Sequence, residues 1–72
     1  MERREAIELL KTLIELNLAQ PSFVSLQKNE KGSFDLEMKV NGNLEAIRAF
    51  AAGRDLMLNE DTEKGTCIIS KR

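Results

Sequence analysis

Ser33-Phe34-Asp35-Leu36-Glu37-Met38-Lys39-Val40 alternates without a break, with Phe34, Leu36, Met38 and Val40 on one side and Ser33, Asp35, Glu37 and Lys39 on the other. A period of two belongs to a strand with one buried and one wet face, the situation of an antiparallel sheet covered on one side. Asn29-Glu30-Lys31-Gly32, just before it, is a turn whose glycine is free to take positive φ. Ser22 to Lys28 reads as the partner strand, carrying Val24 and Leu26 on one side and Phe23, Ser25 and Gln27 on the other. The two strands make a hairpin.

Upstream, no Gly or Pro interrupts Glu2 to Leu18, and Ile7, Leu10, Ile14 and Leu18 recur at helical spacing. Ala6, Ile7, Leu9, Leu10, Leu13, Ile14, Leu16 and Leu18 together cover about 200° of the wheel, where one packing surface needs a stripe of about 100°. Such a helix is expected to meet more than one neighbour. Pro21 closes the helix and holds Gln20 extended. Downstream, Asn41-Gly42-Asn43 ends the strand, and Asn43 is expected to cap a second helix over Leu44 to Ala52 with Gly53 as its stop. Its stripe is Leu44, Ile47, Phe50 and Ala51, flanked by Ala46, Ala49 and Ala52. Leu56 and Leu58 then share one side of a short strand with Met57 opposite, a loop runs from Asn59 to Gly65, and Thr66 to Lys71 forms the last strand with Cys67 and Ile69 inward and Ile68 outward.

The chain thus reads as helix, hairpin, helix, hairpin. Glu30-Lys31-Gly32 recurs as Glu63-Lys64-Gly65, each followed by a hydroxyl residue, so two α-β-β units stand in tandem. Duplication of one unit and independent use of similar hairpins both account for this. Aligning the helices by their stripes matches Leu10 with Ile47 and Ile14 with Ala51. Either origin gives one α+β domain over residues 1–72: a two-layer αββαββ sandwich whose four-stranded antiparallel sheet carries both helices on one face.

Composition narrows the function classes. At 72 residues a single core contributes little net stability, and packing or self-association must supply it, because one cysteine forms no internal disulfide and there is no histidine to complete a zinc site with it. Eleven basic and twelve acidic residues leave a net charge of −1, which offers no field to gather nucleic acid or anionic lipid. Nucleic-acid stacking also wants outward aromatics among basic residues, and of three phenylalanines only Phe23 is expected outside. No run approaches the roughly 20 apolar residues of a membrane span, the opening Glu2-Arg3-Arg4-Glu5 is no signal peptide, and a cytoplasmic location is expected.

No catalytic constellation, cofactor motif or metal set emerges. Asp35 and Glu37 read as a solvated strand face, Glu60, Asp61 and Glu63 lack calcium-loop spacing, and the glycines form no phosphate-binding loop. Cys67 has no histidine to activate it and is expected to point inward. Arg48, Arg54, Lys28 and Lys31, interspersed with Glu45, Asp55 and Glu30, read as solvated pairs.

Surplus apolar surface remains. Phe23, Met57 and Ile68 are expected on the sheet face away from the helices, as an interface if they cluster and as scattered exposure if they do not. Leu9 and Leu16 lie at one edge of the first helix's broad stripe, with packing against Ala46 and Ala49 as their favoured role. The expectation is a non-enzymatic protein-interaction module whose partner is protein, another copy of itself included, met through the open sheet face or a strand edge. A small-molecule-sensing domain with a site at a dimer junction or at the loops Asn41 to Asn43 and Gly53 to Asp55 is the alternative.

Overall fold

The computed structural model describes residues 1–40 and 42–71. Helix α1 spans Arg3–Glu15, a 3-10 turn covers Pro21–Phe23, strands β1 Val24–Lys28 and β2 Phe34–Lys39 form the first hairpin, helix α2 spans Leu44–Gly53, and β3 Leu56–Asp61 and β4 Thr66–Lys71 form the second. The sheet is antiparallel in the order β1-β2-β4-β3, so the two hairpins meet through β2 and β4, leaving β1 and β3 as edges. Both helices cover the same face: α1 lies on β1 and β2, and α2 on β3.

Register explains the core. Leu26 stands opposite Leu36, Leu36 opposite Ile69, and Ile69 opposite Leu58, so an aliphatic row crosses all four strands. The neighbouring row is Val24, Met38, Cys67 and Glu60. Leu36, Met38, Cys67 and Ile69 are shut from solvent beneath Ala6, Leu9 and Leu13 of α1 and Ile47 and Ala51 of α2. The alternation from Phe34 to Val40 predicts this face correctly, although Phe34 and Val40 at its ends are only half-buried. The interval from Leu36 to Ile69 equals that from Glu30 to Glu63, so the recurring tripeptides occupy equivalent places on the two hairpins.

Several boundaries differ from the sequence reading. Helix α1 stops at Glu15 instead of reaching Leu18, because Asn17 adopts φ 60° and lets the Leu18 N–H reach the Leu13 carbonyl at 2.9 Å and its own N–H reach Ile14 at 3.0 Å. This is a Schellman closure with asparagine in the left-handed position that glycine usually fills. The first strand begins at Val24, not Ser22, because the 3-10 turn takes Pro21 to Phe23. Asn43 is the α2 N-cap residue, yet its side chain caps no helix N–H; the Nδ2 group donates to the Leu18 carbonyl at 2.6 Å. Gly53 is the last residue of α2, and the left-handed stop falls on Asp55 at φ 57°. Strand β3 extends to Asp61, shortening the expected loop to 62–65.

The most buried stripe of α1 is Ala6, Leu9 and Leu13. In burial, Leu9 and Leu13 therefore match Ile47 and Ala51, one residue away from the alignment expected through Leu10 and Ile14.

Both turns use the recurring tripeptide with the expected glycine geometry, φ 81° at Gly32 and 67° at Gly65. The Lys31 N–H donates to Asn29 Oδ1 at 2.9 Å and the Lys64 N–H to Asp61 Oδ1 at 3.2 Å, so a side-chain carbonyl or carboxylate closes each turn. Met1 supplies an unexpected tie: its side chain is buried and its carbonyl accepts the Phe34 N–H at 2.7 Å.

Gly53 offers a direct test of the α2 boundary. Its φ is not left-handed, and an added Cβ would meet nothing within 4 Å. Gly53→Ala is expected to raise stability by about 0.5–1 kcal/mol, since alanine loses less backbone entropy in a helix. Chemical denaturation measures it, and a destabilised variant would mean that Gly53 lies outside the helix.

Candidate interaction surfaces

Three surfaces are open on this fold: the uncovered sheet face, the two strand edges, and the ends where helices meet loops. On the uncovered face Met57 is 42% exposed and stands opposite Ser70, while half-buried Ile68 stands opposite Asn59. These two are diagonal neighbours, about 7–8 Å apart. Phe23, 50% exposed, belongs to the 3-10 turn before β1. Two strand spacings, about 10 Å, separate it laterally from Ile68, and Glu37 faces Ile68 from β2. The Lys39 ammonium sits 5.1 Å from the centroid of the Phe23 ring. The three apolar residues therefore do not form one patch, and the face between them is polar.

Leu9 and Leu16 part company. Leu9 is buried in the core, whereas Leu16 is 54% exposed at the end of α1. Ala46 and Ala49 are themselves exposed and do not receive them, which corrects the helix-against-helix packing expected for this pair. Instead the helices diverge around a cleft of about 500 Å³ with Leu9, Met1 and Leu56 among its lining residues and Glu5, Thr12 and Arg54 at its sides. Two of its charged groups are already engaged: Glu5 pairs with Lys71 at 3.3 Å and the Arg54 guanidinium lies 4.5 Å from the Phe50 ring centroid.

This cleft identifies the flank of α1 that faces α2, since Glu5, Leu9 and Thr12 share it with Arg54 and Leu56. Ile7 and Ile14 lie about 140–160° around the helix from Leu9, on the flank above the β1 edge. Both are half-buried, as are Leu10 beside them and Val24 and Leu26 on the strand below. An apolar seam thus runs along a strand that has a neighbour on one side only. The sequence reading takes Ile7, Leu10 and Ile14 as recurring apolar positions of the helix; Leu10 packs against the core, and the excess width of the apolar arc was the available signal that one end of it would be left over.

The opposite edge is different. Strand β3 ends in Glu60 and Asp61, and Glu60 pairs with Arg48, which ties α2 over that edge. Charges of this kind discourage pairing. Strand β1 carries only Lys28, at its last position.

Cys67 is buried, and burial pushes its thiol above the ordinary range, with the Glu60 carboxylate adding to the shift. A thiol held neutral and out of solvent is no nucleophile. Among the described residues no three acidic or thiol side chains gather as a metal site, and no helix is long and apolar enough to cross a membrane. Of the loops expected to hold a ligand, Asn43 lines a cavity of about 210 Å³ and Arg54 the larger cleft, while Asn41 lies outside the described residues. No family model, curated protein or solved structure matches the chain.

Proposed function

We propose that this protein is a non-enzymatic interaction module that pairs with a second copy of itself along β1. The observation that carries the proposal is the coincidence of an unpaired strand edge with the half-buried seam of Ile7, Leu10 and Ile14 above it. A free edge offers backbone donors and acceptors that another strand satisfies, and a domain this small gains stability from burying the adjoining apolar surface.

Charge fits a two-fold arrangement. Antiparallel pairing centred on Leu26 sets Leu26 against its counterpart, Ser25 against Gln27 and Val24 against Lys28, with no like charges opposed. The same operation lays the two copies of α1 antiparallel, Ile7 of one beside Ile14 of the other. Such an interface is isologous. The open sheet face, interrupted by Glu37 and Lys39, suits a dry contact less well.

Sedimentation velocity at about 0.5 mM tests the idea, because self-association is concentration-dependent. A dimer is expected for the unmodified chain, and a monomer with unchanged circular dichroism for Ile7→Glu combined with Ile14→Glu. Phe23→Glu combined with Ile68→Glu is expected to leave the dimer intact. A monomeric unmodified chain, or a dimer that survives the α1 double substitution, removes the proposal. We also take the equal intervals between tripeptides and between Leu36 and Ile69 as support for an origin by duplication, which the discovery of a relative built from one such unit as a two-fold dimer would test.

A further inference from the structure

We propose that the notch between the α1–β1 connection and the end of β2 binds a small aromatic monocarboxylate. Its volume is about 210 Å³. A cavity of about 150 Å³ is known to admit benzene, so one ring with a short anionic substituent fits this space.

The walls are fixed before any ligand arrives. Leu18 and Ala19 form the apolar side, held by the Schellman closure of α1 and by the Asn43 Nδ2 bond to the Leu18 carbonyl. Pro21 and the 3-10 turn present the Phe23 ring, half of which faces solvent. Lys39 brings one ammonium group against that ring, 5.1 Å from its centroid. The Asn17 and Gln20 side-chain amides line the same space and make no hydrogen bond among the described residues.

These groups define a ligand class. An aromatic body is complemented by Phe23, Leu18 and Ala19, a single negative charge by Lys39, and the remaining carboxylate lone pairs by amide N–H groups. One cation with no guanidinium fork favours a monoanion over a phosphate dianion. The site is built within one chain and stands independently of pairing at β1.

A proton–nitrogen-15 correlation titration of the full chain with sodium benzoate, to about 50 mM at constant ionic strength, tests the proposal at the millimolar affinity expected for so few ligand atoms. Saturable shifts are expected at Asn17, Gln20 and Lys39, with neutral benzamide binding about tenfold more weakly, the ratio set by loss of about 1.4 kcal/mol. Lys39→Met should abolish that preference and Phe23→Ala should weaken both ligands. The same spectra report whether each variant is folded. Shifts that do not saturate, that centre elsewhere, or that are equal for benzoate and benzamide overturn the assignment.

Discussion

Leu36→Ala is expected to lower stability by about 2–5 kcal/mol, the range for emptying a buried leucine site. Leu36 is shut from solvent, faces Leu26 on one side and Ile69 on the other, and lies on the strand that α1 covers. Removing its isobutyl group interrupts the aliphatic row at the joint between the two hairpins, where neither strand can move inward without breaking the ladder it shares with the other. A chain of 72 residues has a total stability of about 4–11 kcal/mol. One such loss is therefore a large fraction of the whole. The midpoint of thermal unfolding should fall by about 8–40 °C, given the 4–8 °C per kcal/mol typical of domains this size. Two comparisons fix the cause. Leu36→Met, which conserves volume, should cost less than about 1.5 kcal/mol, and Leu16→Ala, at a position 54% exposed, should stay within about 0.5 kcal/mol. If Leu36→Ala unfolds no earlier than Leu16→Ala, the sheet is not sealed where the register puts its centre.

The second large effect concerns Cys67. The thiol is wholly buried between Met38 and Glu60 in the second cross-strand row. Alkylation by iodoacetamide must await opening of the domain, so the native chain should react at least about 1,000-fold more slowly than the same chain in denaturant, following the equilibrium population of the open form. Reaction within tenfold of the denatured rate would show the site to be accessible. The raised thiol pKa also makes stability depend on pH. Desolvation, with Glu60 second, disfavours the native thiolate, whereas the unfolded chain ionises at about 8.5. Above that pH the unfolded state binds fewer protons than the native state, so stability falls. The slope approaches about 1.4 kcal/mol per pH unit until the native thiol itself ionises, and below pH 8.5 this contribution is constant. Subtracting the profile of Cys67→Ala isolates it, because that variant lacks the thiol. Cys67→Ser should be folded but weaker by about 1–3 kcal/mol, the consequence of burying an unpartnered hydroxyl.

Much of the architecture was legible because the period-two run from Phe34 to Val40 and the helical spacing before it leave few alternatives. Leu36, Met38, Cys67 and Ile69 could be assigned inward from alternation alone, and they are buried. What could not be read were quantities decided by contacts distant in the chain. Asn17 ends α1 early because a left-handed asparagine lets Leu18 fold back on Leu13, a choice that local helix propensity does not reveal. The burial of Leu9 and the half-exposure of Ile7 and Ile14 depend on where α1 sits over the sheet, and a 200° apolar arc permits either end to be outermost. Strand order is of the same kind: both hairpins were visible, but not that they would join through β2 and β4. The candidate surface moved for this reason, from Phe23, Met57 and Ile68, which a polar sheet face keeps apart, to the flank of α1 above β1.

The unlike ends of the sheet bear on how far the proposed pairing could extend. A protein whose two outer strands were equally receptive would add copies indefinitely and grow into a fibre, the hazard of any exposed ladder. Here one rim is nearly free of charge and the other finishes in Glu60 and Asp61. If the receptive rims join as proposed, each outward boundary presents carboxylates to the next arrival, and growth should halt at two.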